Sequence, residues 1–100
     1  MNELNQFTDI VKYIENTTLT DLQATLKLVL GDSKSIFIDG YQGKVSLNST
    51  EEAECTLILS EDDMKLILSG QLNPAAAFMQ GKVKVEGDMS VAMKLQGFFN

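Results

Sequence analysis

Residues 72–98 read LNPAAAFMQGKVKVEGDMSVAMKLQGF, and this stretch decides the fold. Asn73 followed by Pro74 is typical of a helix start, because a short polar cap precedes the first helical position, the one that suits proline. A glycine is placed to end that helix. The following KVKVEG predicts a short strand in which Val83 and Val85 point to one face. The stretch therefore predicts a helix, a strand and a further helix.

The last helix of this stretch is apolar on nearly every side. Asp88 can cap its start, and only Ser90 and Lys94 interrupt its apolar surface as charged or hydroxyl side chains. Two stripes of side chains run along this helix. One consists of Met89, Ala92, Met93 and Gln96, and the other of Val91, Leu95, Phe98 and Phe99. A terminal helix of a small domain needs one apolar face for the core, so a second one must meet a partner chain, a membrane or a ligand.

Upstream, the sequence predicts one helix, four strands and a second helix. Apolar residues recur at helical spacing at Leu4, Phe7, Ile10, Val11 and Ile14. The runs DLQATLKLVLG, SIFIDG, KVSLNS and ECTLILS read as strands, the first by its two-residue period and the others by their apolar residues and the turn residues between them. Ser60, followed by three acidic residues, predicts the start of the second helix.

The order of these elements predicts an α+β fold. Two helices separate the fourth and fifth strands, so we expect a five-stranded mixed, mainly antiparallel sheet with the helices packed on one face and the other face open to water. One hundred residues leave room for one core, and residues 1–100 are predicted to form a single domain.

Composition excludes several classes of mechanism. The chain has no histidine and one cysteine, Cys55, so a disulfide within the chain, a structural zinc site and a Ser-His or Cys-His nucleophile are not expected. Cys55 lies in an apolar strand and is interpreted as a buried core thiol. All eight basic residues are lysine and the net charge is −6, which disfavours nucleic-acid binding. No metal or cofactor is predicted.

No apolar run approaches the roughly 18 residues that a membrane span requires. The N-terminal sequence MNELNQFTDI lacks the basic and apolar regions of a signal peptide. We therefore expect a cytoplasmic protein.

The run NPAAAFMQGKVKVEGDMSVAMKLQ resembles, in residue type and spacing, the signature region of the sterol carrier protein type two family, with weaker similarity back through CTLIL to ATLKLVL. The resemblance implies a five-stranded sheet covered on one face by helices. It also implies an elongated apolar tunnel between them that accepts sterols, fatty acids, acyl-CoA esters or phospholipids. A fold alone does not determine which of these is bound.

The candidate lipid-binding residues come from the apolar helix faces. Eight are expected to line the tunnel: Phe7, Val11 and Ile14 on the first helix, Phe78 and Met79 on the third, and Met89, Met93 and Phe99 on the last. Gln80 and Gln96 are candidates for contacts with a polar head group at the tunnel mouth. Phe98 and Phe99 either cover the tunnel, or two subunits cover each other's openings.

Three functional hypotheses follow. The favoured one is non-catalytic binding and transfer of a lipid with a long apolar tail, with transient membrane contact through Lys82, Lys84 and Lys94. The second is an accessory subunit that presents a lipid-like substrate to a partner enzyme, with the last helix as its docking surface. The third, an enzyme acting through Glu86 or Asp88, is disfavoured because a strand position and a helix cap explain these carboxylates. The sequence does not decide whether the chain forms a homodimer in the first two of these hypotheses.

Overall fold

A computed structural model describes residues 7–31 and 33–98, and for residues 95–98 it describes the backbone alone. A short 3₁₀ turn at Leu19–Asp21 lies between the first helix and the first strand. The elements in chain order are α1 (Phe7–Glu15), β1 (Thr25–Leu30), β2 (Lys34–Asp39), β3 (Lys44–Leu47), β4 (Cys55–Leu59), α2 (Glu61–Leu68), α3 (Pro74–Met79), β5 (Lys84–Gly87) and α4 (Met89–Phe98). This is the order of helices and strands that the sequence predicts.

The five strands form one sheet in the order β3-β2-β1-β4-β5. β1 pairs in parallel with β4, and the other three pairs are antiparallel. The predicted mixed, mainly antiparallel sheet is therefore confirmed. The parallel pair arises because β4 enters the sheet on the free side of β1 after a long connection.

The first strand begins later than its sequence pattern suggests. Leu22 and Ala24 are buried, as the two-residue period predicts, but β1 starts only at Thr25. Gln23 between them has φ of 50°, a left-handed conformation that no strand contains. Its side-chain amide donates to the carbonyl of Thr20 at 2.7 Å. The chain thus turns once more before it enters the sheet.

The core lies between the sheet and the helices. From β1, Leu26, Leu28 and Leu30 point into it, and from α1, Ile10 and Ile14 are fully buried. This burial matches the apolar face that the helical spacing of α1 predicts. Cys55 at the start of β4 is also fully buried, and its burial raises the pKa of the thiol. Its interpretation as a core residue is confirmed.

The other face of the sheet is less open than predicted. Phe37 points away from the core, since Ile36 and Ile38 on either side of it are core residues, yet it is only 6% exposed. The connection 48–54 joins β3 to β4, two strands that run in the same direction on opposite sides of the β2–β1 pair. A connection between two such strands has to cross one face of the sheet. The burial of Phe37 shows that this face of the sheet is covered at β2.

Three caps define where the helices of the second half begin. Ser60 accepts from the backbone N–H of Asp63 at 3.0 Å through its hydroxyl, and Asn73 accepts from that of Ala75 at 2.8 Å. At α4, the Asp88 carboxylate accepts from the N–H of Ser90 at 2.9 Å. Each cap satisfies an N–H that lacks a partner within the helix. All three predicted caps are confirmed.

Glu54 ties the start of α4 to the sheet. Its carboxylate accepts from the Tyr41 hydroxyl at 2.6 Å and from the N–H of Thr25 at 3.1 Å. The Tyr41 hydrogen bond is the main reason why the pKa of Glu54 lies below its usual value. The Glu54 carbonyl also accepts from the N–H of Asp88 at 2.8 Å. These contacts join β1, the β2–β3 hairpin and the cap of α4.

Candidate functional site

An apolar cavity of about 390 Å³ lies between the sheet and the helices of the second half. β4, β5, α2, α3 and α4 all contribute to its wall. Thirteen residues line it: Leu57, Leu59, Met64, Ile67, Pro74, Ala75, Phe78, Met79, Val83, Val85, Met89, Ala92 and Met93. Every one of these side chains is apolar, so the cavity offers contact surface and no hydrogen-bonding side chain.

The sheet forms the floor of the cavity. Leu57 of β4 lies opposite Val85 of β5 in an antiparallel pair, so their side chains share a face. Leu59 and Val83 continue this surface and are nearly buried. The alternation of CTLIL and of VKV therefore places four apolar side chains under the helices.

α2 forms the inner wall. Met64 is only 2% exposed, and Ile67 lies one turn further along the same side of the helix. Lys34 and Lys65 both form ion pairs with Glu61 in the first turn of α2, at 3.1 and 3.4 Å. Because these contacts and the Ser60 cap hold the start of α2, this wall is fixed to the sheet.

α3 and α4 form the mouth of the cavity. Four large apolar side chains there remain exposed to solvent: Phe78 (45%), Met79 (85%), Met89 (46%) and Met93 (69%). We call these four residues the rim. Large apolar side chains rarely gather on the surface of a soluble domain without a ligand or partner to cover them. Met89 and Met93, which are part of the extra apolar surface that the sequence of α4 predicts, therefore lie at the cavity mouth.

The two carboxylates just before α4, those of Glu86 and Asp88, lie outside the cavity lining. The Ser90 hydroxyl donates to Asp88 at 2.6 Å, and the hydrogen bonds from Ser90 lower the pKa of Asp88. Glu86 lies opposite Thr56, on the face of β5 that points away from the cavity. Neither residue lines the cavity. Among residues 7–31 and 33–98, no cluster of three or more potential ligands could hold a metal ion.

The structure brings four of the eleven predicted site residues to the cavity, and these are the rim. It does not bring α1 there, because α1 packs against α2: Ile14 is fully buried in the core, and Phe7 and Val11 pack against that core. Gln80 is exposed at the end of α3 and does not line the cavity. The side chains of Gln96 and Phe98, and all of Phe99, lie outside the described residues.

Sequence reasoning missed the deeper lining residues. The alternation in ECTLILS could have predicted that Leu57 and Leu59 point to the same face. Val83 and Val85 were already predicted to share a face. Met64 and Ile67 are spaced as one face of α2. These patterns show which side chains point inwards. They do not show which inward-facing side chains close against each other and which leave a space.

Fold and cavity together define a class of protein: a small α+β domain that keeps an apolar cavity between one face of a mixed sheet and its helices. The SCP-2 sterol transfer family matches this chain over residues 4–100. The chain therefore belongs to that family, as its resemblance in residues 73–96 implies.

Individual relatives agree with this assignment. Sterol carrier protein 2 of Gallus gallus is 44% identical over 55 residues, which are 55% of this chain and 10% of that protein. Hydroxysteroid dehydrogenase-like protein 2 of Bos taurus is 39% identical over 51 residues, which are 51% of this chain and 12% of that protein. The matched stretches thus span about a tenth of these relatives.

A solved structure shares the fold. Sterol carrier protein 2 of Aedes aegypti, solved by NMR in complex with the C16 fatty acid palmitate, superposes with a TM-score of 0.71. It is 21% identical, and the match covers 90% of this chain and 94% of that one. Since nine-tenths or more of each chain is matched, the two proteins share the fold over most of their length.

Proposed function

We propose that this chain binds the apolar tail of a lipid in the cavity and transfers the lipid between membranes, without covalent chemistry. The observation that carries the proposal is the lining of the cavity: thirteen apolar side chains surround a volume of about 390 Å³. This volume lies in the range of small-molecule sites, about 300–1,000 Å³. Fatty acids, acyl-CoA esters, sterol-like molecules and phospholipids all carry a tail that such a lining suits.

Two further observations support the proposal. The Aedes aegypti protein that shares this fold was solved with palmitate, a single long acyl chain. In addition, the thirteen lining residues include no titratable side chain, so no lining side chain is placed to move a proton on a bound lipid. We therefore propose a carrier, in which affinity comes mainly from burial of the tail, at about 0.8 kcal/mol per methylene group.

The rim is the proposed entrance for the lipid. Its four side chains surround the cavity mouth and are the exposed part of the lining. We propose that they close over the tail, while a polar head group stays in water. Contacts of Gln80 and Gln96 with the head group, and a cover formed by Phe98 and Phe99, stay predictions.

A pair of neighbouring alanines in α3 allows a matched test. Ala75 lines the cavity and Ala76 does not, although both are half-buried. We expect Ala75→Phe to weaken palmitic acid binding about thirtyfold, because the ring displaces two or three methylene groups worth about 0.8 kcal/mol each. Ala76→Phe should change the affinity less than about threefold. Isothermal titration calorimetry with palmitic acid measures both.

Circular dichroism and thermal unfolding check that both variants are folded. Equal loss of affinity in Ala75→Phe and Ala76→Phe would show that the cavity is not the site. No binding of palmitic acid, of a sterol or of a phospholipid to the wild-type protein would refute the carrier function itself.

A second candidate function is an accessory role beside an enzyme. The observation that favours it is the similarity to part of hydroxysteroid dehydrogenase-like protein 2, whose name indicates an enzyme-like protein. In this case the chain would present a lipid-like substrate, and the exposed rim would dock on the enzyme. A protein partner that purifies with the chain in fixed stoichiometry, and is lost when Met79 is replaced by Glu, would favour this role.

Membrane contact during transfer is part of the proposal. Lys82, Lys84 and Lys94 are all exposed and lie in the segments next to the rim. Each lysine near an anionic surface contributes about 1 kcal/mol. In the described part of the chain, no helix is long and apolar enough to cross a membrane. A homodimer that covers the rim, and a cytoplasmic location, stay predictions.

A further inference from the structure

Methionine is concentrated at the cavity. Of the five methionines in the chain, four line it. Three of them belong to the rim, with exposures of 85% for Met79, 69% for Met93 and 46% for Met89, whereas Met64 is 2% exposed. The same cavity therefore has accessible thioethers at its mouth and a shielded one inside.

An accessible thioether reacts with hydrogen peroxide. A lone pair of the methionine Sδ attacks one peroxide oxygen, the O–O bond breaks, and an S=O bond forms while water leaves. The sulfur loses two electrons and the peroxide gains them. The flexible apolar side chain becomes a polar sulfoxide, which enzymes of the methionine sulfoxide reductase class can convert back.

We propose that Met79, Met89 and Met93 are oxidation sites, and that their conversion to sulfoxide by a peroxide switches off lipid-tail binding at the rim. This inference rests on the proposed function. The sulfoxide oxygen needs a hydrogen-bond donor, and none of the thirteen lining side chains offers one. Water supplies that donor while the rim is open, so closing the rim over a tail removes it.

The link between oxidation of the rim and lipid binding is reciprocal. A bound tail that covers the rim also shields the rim sulfurs, so bound lipid should slow their oxidation. Met64 serves as the internal reference, because it is only 2% exposed in the inner wall even without a ligand. The order of reaction should therefore follow exposure, with Met79 first and Met64 last.

The experiment treats the protein with hydrogen peroxide, with and without palmitic acid, and follows each methionine by peptide mass spectrometry. Calorimetry then compares palmitic acid affinity before and after oxidation. We expect a loss of about tenfold or more, from the desolvation of at least one sulfoxide. In the variant with Met79, Met89 and Met93 all changed to Leu, the ratio of affinities before and after peroxide should be close to one, whatever its starting affinity.

Met64→Leu is the matched control and should lose affinity on oxidation as the wild type does. The proposal is overturned if oxidised and untreated wild-type protein bind palmitic acid equally, if Met64 reacts as fast as Met79, or if the triple variant stays sensitive to peroxide. If untreated wild-type protein binds no lipid at all, the proposed function fails first, and this inference fails with it.

Discussion

Among single residues, Gly87 is a position that tolerates a side chain poorly. It ends β5 with φ of 93°, and a Cβ atom there would lie 2.5 Å from the carbonyl oxygen of Glu54. That oxygen cannot move away easily, because it accepts the hydrogen bond from Asp88 at the cap of α4. The close approach of β5 to the start of β4 therefore requires glycine.

We predict that Gly87→Ala lowers the free energy of unfolding by about 2–4 kcal/mol, from the left-handed conformation and the backbone clash together. Gly70→Ala is the control, because Gly70 has φ of 81° but open space around its Cα. It should lose only about 1 kcal/mol. Urea unfolding measures both, and equal losses would contradict the clash.

Among the elements, α3 is less firmly anchored in the cavity wall than α2. It has six residues, and Ala77 is its one fully buried residue. Short helices are marginal without packing, so the cap at Asn73 supports much of its structure. α2 differs, since Met64, Ile67 and Leu68 bury one whole side of it. We therefore expect α3 to open more readily than α2.

Asn73→Ala should loosen α3 without unfolding the protein. Its side chain accepts from the N–H groups of Ala75 and Ala76, and its loss costs about 1 kcal/mol. We predict that the amides of Ala77 and Gln80 exchange with solvent about fivefold faster, as NMR can measure, with a small change in melting temperature. Ser60→Ala, the matched cap of α2, should instead lower the melting temperature. Unchanged exchange in α3 would refute this difference.

Local signals in the sequence predicted the elements well. Ser60, Asn73 and Asp88 act on their own backbone neighbours, so their roles as caps were readable without tertiary structure. The first helix shows what these local signals do not predict. Its apolar face was correctly predicted to be buried, but Ile14 packs in the core and not at the cavity. Periodicity gives the direction of a side chain, whereas the location of a cavity depends on how several elements fit together.

At the scale of the whole molecule, an empty cavity would lower the free energy of unfolding. At about 24 cal/mol per Å³, an empty dry cavity of about 390 Å³ would cost about 9 kcal/mol. The total stability of a domain is only about 5–15 kcal/mol. An apolar tail in the cavity, with the rim folded over it, offsets this cost and should stabilise the fold.

Native mass spectrometry of the purified protein, followed by lipid analysis after denaturation, tests the central claim most directly. We predict one lipid with a long acyl or isoprenoid tail per chain, either bound on purification or taken up when palmitic acid is added. Protein that carries no lipid, and that takes up neither palmitic acid nor a sterol, would contradict the carrier function. The rim would then be a surface for contact with another protein chain.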